Sequence, residues 1–210
     1  MPLISHRDQA MTDHFNEKAK NWDVDEMVKQ LSSAIGDSIL QRTQLNEQMN
    51  VMDFGAGTGR ISSQVVPLVN KITAVDISEA MLNKLVAKPE LHGKVEAVCQ
   101  NILDKPLAEK FDLIMSAMAI HHVEDTSKLI QTFANHLKSG ASIALADLDK
   151  EDGSFHPADV EGVYHSGFDR YDFKALLQKH GFIDVQFFTA HTVKKPDNKY
   201  PIFLVNATKA

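Results

Sequence analysis

The stretch VMDFGAGTGR, Val51 to Arg60, sets three glycines at alternate positions directly behind an apolar run and an aspartate. A bare turn leaving a strand lets the backbone approach a ligand closely and aims its N–H groups at it. Such a turn belongs at a strand-to-helix junction of a parallel sheet, so it constrains everything downstream. A P-loop would close this turn with Gly-Lys-Ser/Thr, which is absent. A dinucleotide fingerprint would need a glycine at position 60, where Arg60 stands. The spacing is instead G-x-G-x-G, through Gly55, Gly57 and Gly59. A plain tight turn explains one or two glycines, not three beside Asp53.

The rest of the chain supplies the alternation that the turn demands. Short apolar runs at 49–54, 71–75, 95–99, 111–117 and 141–148 read as strands. Between them, 58–69, 78–87 and 125–137 read as helices, with Ser78 as a cap and Ser139-Gly140 as a stop. Before the first strand, Val24, Met27, Val28, Leu31, Ile35 and Ile39 recur at helical spacing, and Gly36 counts against one unbroken helix there. Residues 149–168 are irregular. Asp169 then caps a further helix that Gly181 closes, and the runs 185–193 and 200–209 flank the turn-forming KKPDNK. Strands alternating with helices of this length form parallel βαβ units, whose ligand lies across the carboxyl ends of the strands.

Composition narrows the setting. A chain of 210 residues, 43% apolar and 24% charged, suits one globular domain. Its net charge of −6 argues against a chain-wide footprint for nucleic acid, so no nucleic-acid partner is expected. The single cysteine, Cys99, excludes an internal disulfide and multi-thiolate metal sites, and the run VEAVC predicts it buried. MPLISHRDQAM lacks a signal peptide's apolar core and no run reaches membrane-spanning length, which predicts a cytoplasmic protein without membrane insertion.

The second strand adds a constraint, because ITAVDIS ends on Asp76. A carboxylate at that tip can accept both hydrogen bonds of a ribose diol, whereas the role of helix cap falls more naturally to Ser78. Asp53 would repel a diphosphate but not a ligand carrying an ammonium and a sulfonium.

With these features together, the run VMDFGAGTGRISSQVVPLVNKITAVDISEAMLNKL resembles the class I S-adenosylmethionine-dependent methyltransferases. Within them it is most similar to the small-molecule group that includes ubiquinone/menaquinone-biosynthesis enzymes, from about Phe15 to the C-terminus. The resemblance implies an α/β, Rossmann-like, doubly wound and mostly parallel seven-stranded sheet. An antiparallel C-terminal hairpin would form one edge, with helices on both faces. It implies one domain over 1–210: a helical lid (1–46), a cofactor-binding core (47–148), an acceptor-side insert (149–168), then a helix and hairpin (169–210).

The implied cofactor is S-adenosyl-L-methionine. Asp53 and the turn from Gly55 through Ala56, Gly57 and Thr58 to Gly59 would face its methionine part. Asp76 would hold the ribose hydroxyls, and Ile77 one adenine face, with Met81 in the same pocket. Where the family often has Gly-Asp after the third strand, this chain has Gln100-Asn101. The Asn101 amide oxygen can still accept from the adenine amino group, and Ile102 would offer its backbone N–H. FDLIMSAMAIHHV matches the fourth strand and its loop, placing Ser116, Ala117 and His121 beside the cofactor. HFNEKAKNWD resembles the family's entry helix, so Phe15, Lys20 and Trp22 would close the site as a lid ordered by cofactor. An amphipathic helix merely packed on the domain would look the same.

Ten histidines raise the question of a metal. No pair has the i, i+4 spacing of a helical zinc motif, and adjacent His121 and His122 would point apart, so no protein-held metal is expected. A general-base role suits a histidine better: His156 or His165, in the insert, would contact a small-molecule methyl acceptor and assist its deprotonation. The competing account is that both only tether the loop. The acceptor itself is not legible in the sequence. A cofactor-binding regulatory protein without transfer activity would carry identical glycine and acid motifs.

Overall fold

The computed structural model describes residues 6–157, 160 and 162–210, with side chains from residue 12 onward. The first five residues of the expected lid, and 158, 159 and 161 of the expected insert, lie outside the described residues. In chain order the elements are α1 (His6–Lys18), a 3-10 turn (Trp22–Val24), α2 (Glu26–Arg42), β1 (Asn50–Phe54) and α3 (Arg60–Val65). There follow β2 (Lys71–Asp76), α4 (Glu79–Val86), β3 (Val95–Cys99), β4 (Phe111–Ala117), α5 (Thr126–His136) and β5 (Leu137–Leu148). The chain closes with α6 (Arg170–Lys179), β6 (Phe182–Lys194) and β7 (Lys199–Lys209). Among the described residues no helix is long and apolar enough to cross a membrane.

The strands form one seven-stranded sheet in the order β3-β2-β1-β4-β5-β7-β6. β1 to β5 pair in parallel, whereas β7 is antiparallel to both β5 and β6, so the hairpin forms one edge with β6 outermost. The core lies on both faces because neighbouring strand residues point to opposite sides. Val51 and Leu113 join Ile35, Ile39, Val65 and Leu85 on one face. Met52 and Ile114 join Phe133, Leu177 and Phe203 on the other. Each such side chain taken fully from water contributes about 1.5–3 kcal/mol, which is why the central strands read as continuous apolar runs.

Helix starts follow the cap chemistry. Ser78 Oγ accepts from Met81 N at 3.2 Å, and Asp169 Oδ1 accepts from Tyr171 N and Asp172 N at 2.8 and 3.1 Å. Three expectations are corrected. α2 runs unbroken through Gly36, where an added Cβ would lie 2.2 Å from the Gln64 side chain, so the glycine lets α3 close on α2. Ser139-Gly140 is not the helix stop: α5 ends at His136, and β5 begins at Leu137, pairs it with Phe111, and slips register before Ser142 meets Leu113, with Gly140 at φ +72° inside the strand. Cys99 is exposed rather than buried, because it ends β3, the outermost strand at its edge of the sheet.

Candidate active site

The sheet order reverses between β1 and β4, and at the carboxyl ends of β1 to β4 the loops enclose a cavity of about 1260 Å³. Its floor is the glycine turn. Gly55 N and Ala56 N both donate to the Val75 carbonyl, at 2.9 and 3.1 Å, folding the turn back over β2. Gly55 has φ +69°, and a Cβ there would lie 2.3 Å from the Ala119 Cβ, so only glycine fits. Gly57, at φ +54°, faces open space, and its N–H donates to Asp76 Oδ2 at 2.8 Å.

Two carboxylates face this floor. Asp76 accepts from Ser78 N through Oδ1 at 2.8 Å, so each of its oxygens holds a backbone N–H while the residue lines the cavity. Burial pushes its pKa up against those hydrogen bonds. Asp53 is buried and accepts from Ser62 Oγ at 2.6 Å. Burial pushes its pKa up to about 7; the Ser62 bond opposes the shift and the Asp76 charge adds to it. A cation here would relieve the cost of holding both acids ionised.

Ala56, Thr58, Ile77, Met81, Asn101 and Ala117 also line the cavity. The Asn101 side-chain oxygen already accepts from Leu103 N at 3.0 Å, and its amide donates to Asp104 at 3.0 Å, making a local turn. Gly59, Ile102 and Ser116 are buried and do not line it. Gly59 packs instead near Leu85 and Leu91, Ile102 belongs to the core, and Ser116 Oγ is buried without a hydrogen-bond partner among the described residues.

The N-terminal segment covers one side. Phe15 and Trp22 line the cavity with their rings edge-to-face at 6.2 Å, but Lys20 is exposed outside it, because the turn after α1 buries Ala19 and turns Lys20 to solvent. Lys18 lines the wall instead. Two anchors were missed in the sequence. Asp23 accepts from Thr58 Oγ1 at 2.6 Å and pairs with Arg60 at 3.5 Å and Lys88 at 3.2 Å. Asn16 Oδ1 accepts from Ser78 Oγ at 2.7 Å. Nothing local marks either residue; both act across more than thirty positions.

The opposite end holds three histidines. His121 is buried, and its Nδ1 donates to Asp147 Oδ1 at 2.7 Å. Asp147, at the end of β5, also accepts from the backbone N–H groups of Ile120, His121 and Leu148. Burial alone would raise the Asp147 pKa, but the His121 charge and these bonds hold it below the ordinary range. The 3-10 turn Ile120–His122 stacks the His121 and His122 rings at 4.1 Å, so they do not point apart as adjacency suggested. His122 Nδ1 donates to the Gly162 carbonyl at 2.7 Å. His156 from the insert brings its Nε2 to 3.1 Å from His121 Nε2. Burial, then the neighbouring charge of His121, pushes the pKa of His122 down to about 3 and that of His156 to about 4. His165 does not line the cavity; its Nε2 lies 2.9 Å from the Val123 carbonyl and 3.1 Å from Thr126 Oγ1, tethering the insert to the start of α5.

A doubly wound sheet with paired acids under a glycine turn at its switch point defines a nucleoside-binding α/β protein with a second, histidine-lined compartment. Residues 27–195 match the family described as Methyltransferase domain, and the chain belongs to that family, whose methyl donor is S-adenosylmethionine. An uncharacterized methyltransferase of Schizosaccharomyces pombe is 29% identical over 135 residues, covering 57% of this chain and 48% of that protein. A malonyl-[acyl-carrier protein] O-methyltransferase of Bacillus anthracis is 27% identical over 141 residues, covering 65% and 52%. The chain thus spans about half the length of these curated relatives. An N-methyltransferase from Bradyrhizobium japonicum, solved with S-adenosyl-L-homocysteine, shares the fold at TM-score 0.73 with 14% identity, over 95% of this chain and 98% of that one.

Proposed function

We propose that the chain transfers the methyl group of S-adenosylmethionine to a small molecule held at the histidine end of the cavity. The observation that carries this reading is one continuous cavity joining Asp53 and Asp76 to His121, His122 and His156. At about 1260 Å³ it exceeds the roughly 300–1,000 Å³ usual for a single ligand, which leaves room for donor and acceptor together.

The cofactor supplies a methyl group made electrophilic by its sulfonium. In this reading the Asp76 carboxylate holds the ribose diol, and Ile77 and Met81 flank the adenine. Asp53 and the Gly55–Gly57 backbone take the methionine end, where the buried carboxylate favours positive charge. Phe15 and Trp22 close over the donor, and Asp23 ties that lid to the glycine turn through Thr58 and Arg60. Phe155, His156 and Tyr164 of the insert wall the acceptor side. Positioning and exclusion of water then carry much of the acceleration, since an in-line displacement needs little covalent help from protein. The lone thiol, Cys99, which has no partner for a disulfide within the chain, suits a cytoplasmic setting.

The test is calorimetry of the purified chain. S-adenosylmethionine and S-adenosylhomocysteine should bind at micromolar scale, and NAD and ATP should not bind comparably. Equal binding of NAD would sink the reading.

A further inference from the structure

We propose that His121, His122 and His156 form a binding site for one divalent first-row metal, zinc foremost, open to the acceptor side of the cavity. One ring nitrogen from each lies within 4.8 Å of the others. The proton assignments leave the right atoms bare. Asp147 and the Gly162 carbonyl can only accept, so Nδ1 carries the proton in both His121 and His122. When these rings are neutral, the form in which imidazole ligates, Nε2 is then the unprotonated atom. A carboxylate and a backbone carbonyl behind the ligating imidazoles are the supports that fix ring orientation at metal centres.

The spacing agrees. Two zinc–nitrogen bonds of about 2.0–2.1 Å at a tetrahedral angle separate their nitrogens by roughly 3.4 Å. His121 Nε2 and His156 Nε2 stand 3.1 Å apart. Without a metal, and with His121 neutral, His156 Nε2 is the donor across this contact. Binding then asks His156 merely to move its proton from Nε2 to Nδ1.

The surroundings fit as well. Lys18 and Lys195 place positive charge on the His156 side, and the buried Asp147 carboxylate offsets it from behind His121. Phe15 packs edge-on against His122 at 5.1 Å and Phe155 against His156 at 4.8 Å, forming an apolar collar. Three protein ligands leave a fourth position, and in a pocket of this kind an oxygen or nitrogen of the acceptor would fill it. That last role rests on the methyl-transfer reading; the metal site does not.

The experiment is a titration of the chelator-treated full chain with Co²⁺, followed by its visible absorption. One Co²⁺ per chain should bind with the intense bands of a four-coordinate site, and Zn²⁺ should displace it. H121Q, H122Q and H156Q should each weaken binding at least about tenfold, and D147N about 10–100-fold. H165Q, whose ring lies outside the cluster, should match the wild type. His156 sits partly exposed in the insert, so H156Q keeps the test open if the buried His121 cannot be replaced without unfolding. Failure of Co²⁺ to bind, or binding unchanged in H156Q, overturns the site. Neither outcome bears on methyl transfer, because the titration contains no methyl donor.

Discussion

Asp53→Asn isolates the most consequential charge in the cavity. In the fold the Asp53 pKa is pushed from 3.8 to about 7 by burial. A carboxyl group with its pKa raised on folding contributes its stability below its unfolded value, and that contribution is lost as pH rises through the folded one. The window here is therefore 3.8 to about 7. Each pH unit within it is worth about 1.4 kcal/mol, so between about pH 5 and pH 8 the ligand-free protein loses roughly 3 kcal/mol through this group alone. Asparagine keeps the shape and cannot titrate. Urea unfolding of both proteins at the two pH values should show the variant spared that loss. The same carboxylate should ionise when a sulfonium and an ammonium arrive. Calorimetry near pH 6.5, in buffers of different protonation enthalpy, should show proton release on S-adenosylmethionine binding to the wild type and none from Asp53→Asn. Parallel stability curves together with equal proton release would refute the reasoning.

Other perturbations follow from the same geometry. Asp76→Ala should cost about 2–4 kcal/mol of S-adenosylmethionine affinity, since two bonds to a charged acceptor are lost; unchanged calorimetric affinity would remove the ribose assignment. Gly55→Ala forces a Cβ to 2.3 Å from that of Ala119 at φ +69°, and should lower stability by about 1–3 kcal/mol, read as a fall in melting temperature. Asp23→Ala removes the contacts to Thr58, Arg60 and Lys88 and should speed hydrogen exchange across Phe15 to Trp22, which cofactor should slow in the wild type. Exchange there that ignores both the substitution and the cofactor would show that the segment is no lid.

The fold was largely legible because its strands are buried on both faces. Runs such as Phe111–Ala117 and Val95–Cys99 match their strands residue for residue, and the glycine turn located the switch point. Errors arose where a neighbour far along the chain decided the outcome. Gln64 fills the groove at Gly36, Phe111 draws Leu137 into β5, and the edge position of β3 exposes Cys99. Most residues expected around the donor sit at strand tips and line the cavity, whereas Lys20, Gly59, Ile102 and Ser116 do not. The histidine end was not legible. Asp147, His121 and His156 meet only through sheet order and an irregular insert, and the 3-10 turn that stacks His121 on His122 has no sequence mark of its own.

The most direct measurement incubates the purified chain with methyl-labelled S-adenosylmethionine and a small-molecule cell extract. Catalysis predicts label moving into a discrete low-mass product, with S-adenosylhomocysteine released in equal amount and both lost in Asp76→Ala. Tight binding of S-adenosylmethionine with no label leaving it, across extracts of varied origin, would contradict methyl transfer as this chain's activity.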